Sequence, residues 1–142
     1  MNLKNVLTVL VLLTGGMGMS AAAAAVSSAE SLAHGDRLWA QGKLSDARAM
    51  FEQAANDPVN PLPGLMKLGG LLLSNQDFAA AIATYKKVIG LDGNNVRAWM
   101  GLGMAYLHTQ QKELSRAAFG EAVRIEPSRR PQLAGLIEAP KP

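Results

Sequence analysis

Cysteine is absent from the 142 residues, and there are only seven aromatic side chains: Trp39, Phe51, Phe78, Tyr85, Trp99, Tyr106 and Phe119. The lack of cysteine excludes disulfide frameworks, thiolate metal sites, iron–sulfur clusters, thiol nucleophiles and lipid-modified cysteine anchors. Histidine is almost as scarce. Neither His34 nor His108 has a second histidine three or four residues away, the spacing that pairs ligands on a helix. No G-x-S-x-G, H-E-x-x-H or phosphate-cradling glycine loop occurs, and Gly101-Leu102-Gly103 lacks the following glycine of a dinucleotide fingerprint. The inventory predicts a protein that is not an enzyme, with no cofactor, metal or small-molecule substrate. Clustered positive charge is missing too. The balance is 14 Lys and Arg against 11 Asp and Glu, and only Lys86-Lys87 and Arg129-Arg130 form basic doublets. Phosphate binding needs a concentrated basic face, so nucleic acid is not the expected partner. With 18% charged residues and a mean hydropathy of +0.08, the chain is neither acidic and disordered nor a multi-span membrane protein.

Lys4 is the only charged side chain before Glu30, and it precedes the largely apolar run Val6 to Leu13. Thr14-Gly15-Gly16 and then Ser20-Ala21-Ala22-Ala23-Ala24-Ala25 follow. A positive start, a short apolar segment and small residues predict a secretory signal peptide over 1–25, cut near Ala23 to Ala25. The expected location is therefore periplasmic or secreted, where a cysteine-free chain suits an oxidising compartment. The competing reading retains the segment as a membrane anchor, because residues 5–29 are uncharged. A spanning helix wants ~20 strongly apolar residues, however, and glycine, serine and alanine fill the second half of this stretch.

Beyond the leader the chain repeats. Gly35, Gly69 and Gly103 are evenly spaced, with a period of 34. The same period relates Phe51, Tyr85 and Phe119, then Leu38, Leu72 and Tyr106, and also Ala54, Val88 and Ala122. Each period holds two helical patterns separated by a short break, at Gln41-Gly42-Lys43, Asn75-Gln76-Asp77 and Gln110-Gln111-Lys112. Prolines, glycines and asparagines divide the periods, and no alternating strand pattern competes. Three helix–turn–helix units are predicted, over 28–61, 62–95 and 96–129. Small residues at the glycine column and at Ala47, Ala81 and Ser115 would let the two helices of a unit approach closely. Residues 130–142 are predicted to form a short capping helix, its apolar face Leu133, Leu136 and Ile137, followed by a frayed tail.

These residues resemble the tetratricopeptide repeat family, whose pattern W-x2-L-G-x2-Y, A-x3-F, P is met best by Trp99, Leu102, Gly103, Tyr106, Phe119 and Pro127. The second period supplies Leu65, Leu68, Gly69, Leu72, Ala81 and Tyr85, with Gly93 where proline is usual. In the first, Ser31 and His34 stand where Trp and Leu are expected. The resemblance implies an all-α, right-handed α-solenoid of three repeats.

In the first helix of each unit, one face carries residues that the packing pattern does not use. These are Leu32, Asp36 and Trp39, then Met66, Gly70 and Leu73, then Met100, Met104 and Leu107, each set one full period from the next. The resemblance implies that this face lines a concave groove for peptides or helices, and Arg97 and His108 are counted with it as expected partner-binding residues. Methionine adapts to varied partners, so an apolar segment of a cell-envelope protein is the expected ligand, with a basic residue meeting Asp36. The plain alternative places the methionines in inter-repeat packing. A copper(I) site at Met100 and Met104, with soft ligands at i and i+4, is a further alternative. Lys67 and Arg97 could contribute to a clamp for a terminal carboxylate, but Asp36 would repel one. The expected assembly state is a monomer or weak homo-oligomer, and a self-associating structural protein is the alternative function.

Overall fold

The computed structural model describes residues 16–138, with side chains from 27 onward. Most of the expected leader, including Val6 to Leu13, and the tail 139–142 lie outside the described residues. Among the described residues seven α-helices follow one another: α1 Gly16–Ala40, α2 Leu44–Ala55, α3 Leu62–Ser74, α4 Phe78–Leu91, α5 Val96–His108, α6 Lys112–Ile125 and α7 Arg130–Ile137. A 3-10 turn, Pro127–Arg129, leads into α7. There are no strands among the described residues, and no helix there is long and apolar enough to cross a membrane. Antiparallel pairs α1–α2, α3–α4 and α5–α6 form the three units of an α-solenoid. The first helix starts well before the expected unit boundary and runs through it without a break. Alanine is the best helix former, and the run Ala21 to Ala25 has no proline to stop it.

The turn inside each unit is built the same way three times. Gly42, Gln76 and Gln110, equivalent positions of the three units, have left-handed backbones with φ of 75°, 62° and 62°. The next residue's N–H reaches back to the first helix, from Lys43 to Leu38, Asp77 to Leu72 and Gln111 to Tyr106, at 2.9 Å each. These 6→1 bonds are Schellman terminations, which want glycine at the left-handed position. Only the first unit supplies it. Entry into α4 and α5 is fixed by side chains: Asp77 accepts from the Ala80 N–H at 3.3 Å and Asn95 from the Ala98 N–H at 3.1 Å.

Within each unit the second helix drives its aromatic ring against the glycine of the first. A Cβ placed on Gly35 would lie 2.5 Å from the Phe51 ring, one on Gly69 2.8 Å from Tyr85, and one on Gly103 2.8 Å from Phe119. Phe51 and Phe119 are almost wholly buried. Ser115, the exception in its alanine column, is buried but donates its hydroxyl to the Gly103 carbonyl at 2.8 Å, so no polar atom is stranded. Between units, Gly64 lies directly on the backbone of Ala54 and Ala55, and Gly101 on the Tyr85 ring.

The two ends depart from the pattern for one reason. Leu65 and Leu68 of α3 face the preceding unit, whereas α1 has no preceding unit among the described residues. Its corresponding residues are Ser31, which is buried and donates its hydroxyl to the Ser27 carbonyl at 2.7 Å, and His34, which is exposed. At the other end, Leu133 and Leu136 of α7 fall one period after Trp99 and Leu102, so α7 is the first helix of a fourth unit with no second helix described. Ile137 occupies the glycine column there and packs with Leu133 on Phe119 and Val123. No aromatic ring among the described residues presses on that position, so it can carry a side chain.

Left-handed conformation costs an L-residue about 1–2 kcal/mol, while glycine loses roughly 0.5–1 kcal/mol of backbone entropy on ordering. Gln76→Gly and Gln110→Gly should therefore each stabilise the fold by up to about 1 kcal/mol in urea titrations. Phe119→Ala should destabilise it by ~3–5 kcal/mol, as a buried aromatic truncation.

Candidate docking groove

All nine residues of the three triplets sit between core and solvent: none is fully buried and none is fully exposed. Four of the six residues in the first two triplets, Leu32, Trp39, Met66 and Gly70, line one cleft, whereas Asp36 borders a separate shallow recess beside Trp39 and Leu73 lies outside both. A cleft of about 570 Å³ opens between α1, α3 and the start of α5, lined by Leu32, Trp39, Leu62, Pro63, Met66, Lys67, Gly70, Tyr85 and Arg97. One wall is the Trp39 indole, held edge-on to Phe51 with ring centroids 6.0 Å apart. Gly70 faces that indole. A Cβ there would sit 3.5 Å from Trp39 Cη2, an ordinary contact, so the glycine leaves space without being sterically required.

Electrostatics in the groove differ from the expectation that Asp36 awaits a partner's basic residue. Lys67 Nζ donates to both Asp36 carboxylate oxygens, at 2.7 and 2.8 Å, bridging α1 and α3. Both side chains remain nearly half exposed, so the pair contributes ~1 kcal/mol or less. Its main effect is to neutralise Asp36 within the chain. The charge left at the rim is the exposed Arg97, which forms no ion pair among the described residues. Burial pushes the Tyr85 phenol above its ordinary value, and the Arg97 guanidinium partly offsets this.

The third triplet is not part of this cleft. Met100 and Met104 lean on the cluster of Phe119, Ala122, Val123 and Leu133, and Leu107 lines a separate recess with Leu136. The α7 cap supplies the leucines, so these residues are shared between packing and surface. His108 also lies apart: its exposed imidazole stacks flat on Phe78, centroids 4.7 Å apart and planes within 3°. Among the described residues no group of three or more His, Cys, Asp and Glu is arranged to hold a metal ion. Tyr85, Leu62 and Pro63 were missed by sequence reasoning. Tyr85 belongs to the aromatic packing column, and the signal for its second face was Gly101, the small residue that admits its ring.

The chain matches the family model described as Tetratricopeptide repeat over residues 32–92 and 66–130. It is 34% identical over 55 residues to Tetratricopeptide repeat protein 37 of Xenopus laevis, a stretch covering 39% of this chain and 4% of that much longer relative. Among solved structures it is similar to the Arabidopsis OM64 TPR domain, with a TM-score of 0.67, 19% identity, and 72% and 84% of the two chains covered. It is also similar to the first TPR of Spaghetti (RPAP3) bound to HSP90 peptide SRMEEVD, with a TM-score of 0.69, 18% identity, and 78% and 90% covered.

The raised Tyr85 phenol gives the groove wall a pH signature. An unfolded tyrosine ionises near ~10, so above that pH the unfolded chain loses a proton that folded Tyr85 retains. Stability is unaffected below pH ~10 and falls as pH rises beyond it. Absorbance at 295 nm should therefore show a late-titrating tyrosine that Tyr85→Phe removes, and that variant should lose less stability in the alkaline range than the unmodified chain.

Proposed function

Because the chain belongs to the tetratricopeptide repeat family, we propose that it is a non-catalytic protein-interaction module whose concave groove receives an apolar segment or helix of a partner protein. The observation that carries this reading is the alignment of Leu32 and Trp39 of α1 with Met66 and Gly70 of α3 around one cleft of about 570 Å³. Ligand pockets are concave, mostly apolar and fall in the range of ~300–1,000 Å³. The cleft meets that description with an indole and a thioether as its adaptable walls. The structurally similar Spaghetti domain, described as bound to an HSP90 peptide, supports a short peptide as the kind of ligand this architecture accommodates.

The charge around the cleft refines the ligand. With Asp36 neutralised by Lys67, a basic residue in the partner gains little there, whereas an acidic or polar group suits Arg97 at the rim. The exposed His34 of α1 and the packing of α7 over Phe119 and Val123 support a monomer over end-to-end self-association. Lys4, the apolar run Val6 to Leu13 and the alanines before Val26 support export, and with it a partner in the cell envelope. In this reading the protein is an assembly adaptor that presents one groove to a segment of a larger envelope protein.

Photo-cross-linkers placed at Gly70 and at the exposed Glu113, in cells producing the full chain, test the groove. The Gly70 position should capture a discrete partner and the Glu113 position should not. Gly70→Glu should lower capture from a linker at Leu73 by about tenfold or more, the size of losing a docking hot spot. Gly70→Ala should leave it nearly unchanged. Equal capture at Gly70 and Glu113, or unchanged capture with Gly70→Glu at an unaltered melting temperature, would reject the reading. Mass spectrometry of the same material should find a mature N-terminus near residues 24–26.

A further inference from the structure

A second cavity, similar in size to the groove, lies on the other side of α3. This cleft of about 640 Å³ sits between the C-terminal halves of α2 and α4, floored by Leu65 and Leu68 and edged by Ala55, Lys87, Gly90 and Leu91. Leu91 is 59% exposed, and Val59, in the loop that borders the cleft through Asn56 and Pro61, is 73% exposed. They are the two most exposed large hydrophobic side chains among the described residues, and the solenoid's own packing uses neither.

The repeat supplies its own explanation of the cavity. Leu65 stands one period before Trp99. At the junction of the second and third units, Trp99 packs against both hydrophobic clusters, and its indole N–H donates to the Gly93 carbonyl of the inter-unit loop at 2.9 Å. At the junction of the first and second units the same place holds a leucine, which has neither the reach nor the donor. Gly90 widens the opening, since a Cβ there would meet nothing within 4 Å. The charge is also unbalanced. Glu52 is engaged by Arg48 at 2.7 Å, whereas Lys87 forms no ion pair among the described residues.

We propose that this cleft is a second docking site, distinct from the groove, which receives a tryptophan side chain of a partner polypeptide with an acidic residue beside it. The indole takes the place that Trp99 fills at the next junction, with its N–H toward the carbonyls of the 58–60 loop. Leu91 and Val59 cover its edge, and Lys87 meets the acidic neighbour. Burying a large aromatic together with two exposed aliphatic side chains is the arrangement of an anchor residue in a preformed pocket. The internal repeat identifies the ligand chemistry, because it shows which side chain completes this junction when the chain provides one.

Two variants fill the cleft from within. Leu65→Trp restores the residue found at the next junction, and Gly90→Leu adds a side chain into open space on a helix that glycine weakens. The probe is a short amidated peptide of glycine and serine carrying one tryptophan followed by two glutamates, with the alanine-for-tryptophan peptide as control. Titrated into the full chain and followed by amide chemical shifts, it should give saturable changes at Ala55, Gly90 and Leu91 with a Kd below ~1 mM. The control should give none. Gly90→Leu and Leu65→Trp should each weaken the peptide by about tenfold or more, and Lys87→Glu by about two- to fivefold, as an exposed ion pair would. Changes confined to Leu32, Met66 and Gly70, equal binding of the alanine peptide, or full affinity in a folded Gly90→Leu variant would each overturn the proposal. Gly90→Leu keeps the test decisive should Leu65→Trp fail to fold.

Discussion

Everything in this solenoid depends on three places where a side chain is missing. At Gly35, Gly69 and Gly103 the ring of Phe51, Tyr85 or Phe119 occupies the volume in which any Cβ would sit. The ring then packs directly on the backbone of the first helix. A chain with only three phenylalanines and two tyrosines can form a core this way because each ring spans a helix pair. Close packing at crystal-like density leaves little freedom to shift, so the spacing of the two helices in each unit is set by the thickness of one ring. Between units the device recurs: Gly101 admits the Tyr85 ring from the other side, and Gly64 lets α3 rest on the backbone of α2. Tyr85 thus has glycines on two helices, and its remaining edge reaches the groove.

The ends of the stack follow from the same register. A unit that faces its predecessor needs apolar residues where α3 has Leu65 and Leu68, and at these positions α1 has the buried Ser31, satisfied by its own helix, and the exposed His34. A unit whose aromatic ring is absent does not need its glycine, and α7 carries Ile137 there. Both departures look like decay when scored against a repeat consensus. Among the described residues, each departure matches what packs on it, since a position with no ring or helix pressed against it is free to carry another side chain.

The repeat columns and the all-α solenoid fold were legible in the sequence because each is a statement about periodicity, and periodicity survives in one dimension. The side-chain pairings were not. Asp36 and Lys67 are 31 residues apart, so no column contains them together; they meet only because α1 and α3 lie side by side in the stack. The separation of Met100 and Met104 from the cleft was equally hidden, for it depends on their packing against Phe119, Ala122, Val123 and Leu133, which come from the two following helices. The left-handed turns were half legible. Gly42 marks one, whereas Gln76 and Gln110 adopt the same backbone against their own preference, because the helices on either side fix where the chain must reverse.

In a stack of equivalent units the scaffold columns are tied to one another, and function is left to the positions where equivalence fails. Gly70 stands in the column of Asp36 and Met104, and that substitution alone opens space beside Trp39. Leu65 stands in the column of Trp99 and leaves a cavity on the opposite side of the same helix. Both proposed sites therefore converge on α3, which belongs to the unit flanked by described units on both sides. Its backbone is held closely on both sides, through Gly64 on α2 and Gly69 on the Tyr85 ring of α4, next to the recesses on its two flanks. Preformed recesses avoid the ordering cost that a mobile surface would add to binding. A central helix anchored by glycine on both sides is consequently the element best able to carry two binding surfaces at once.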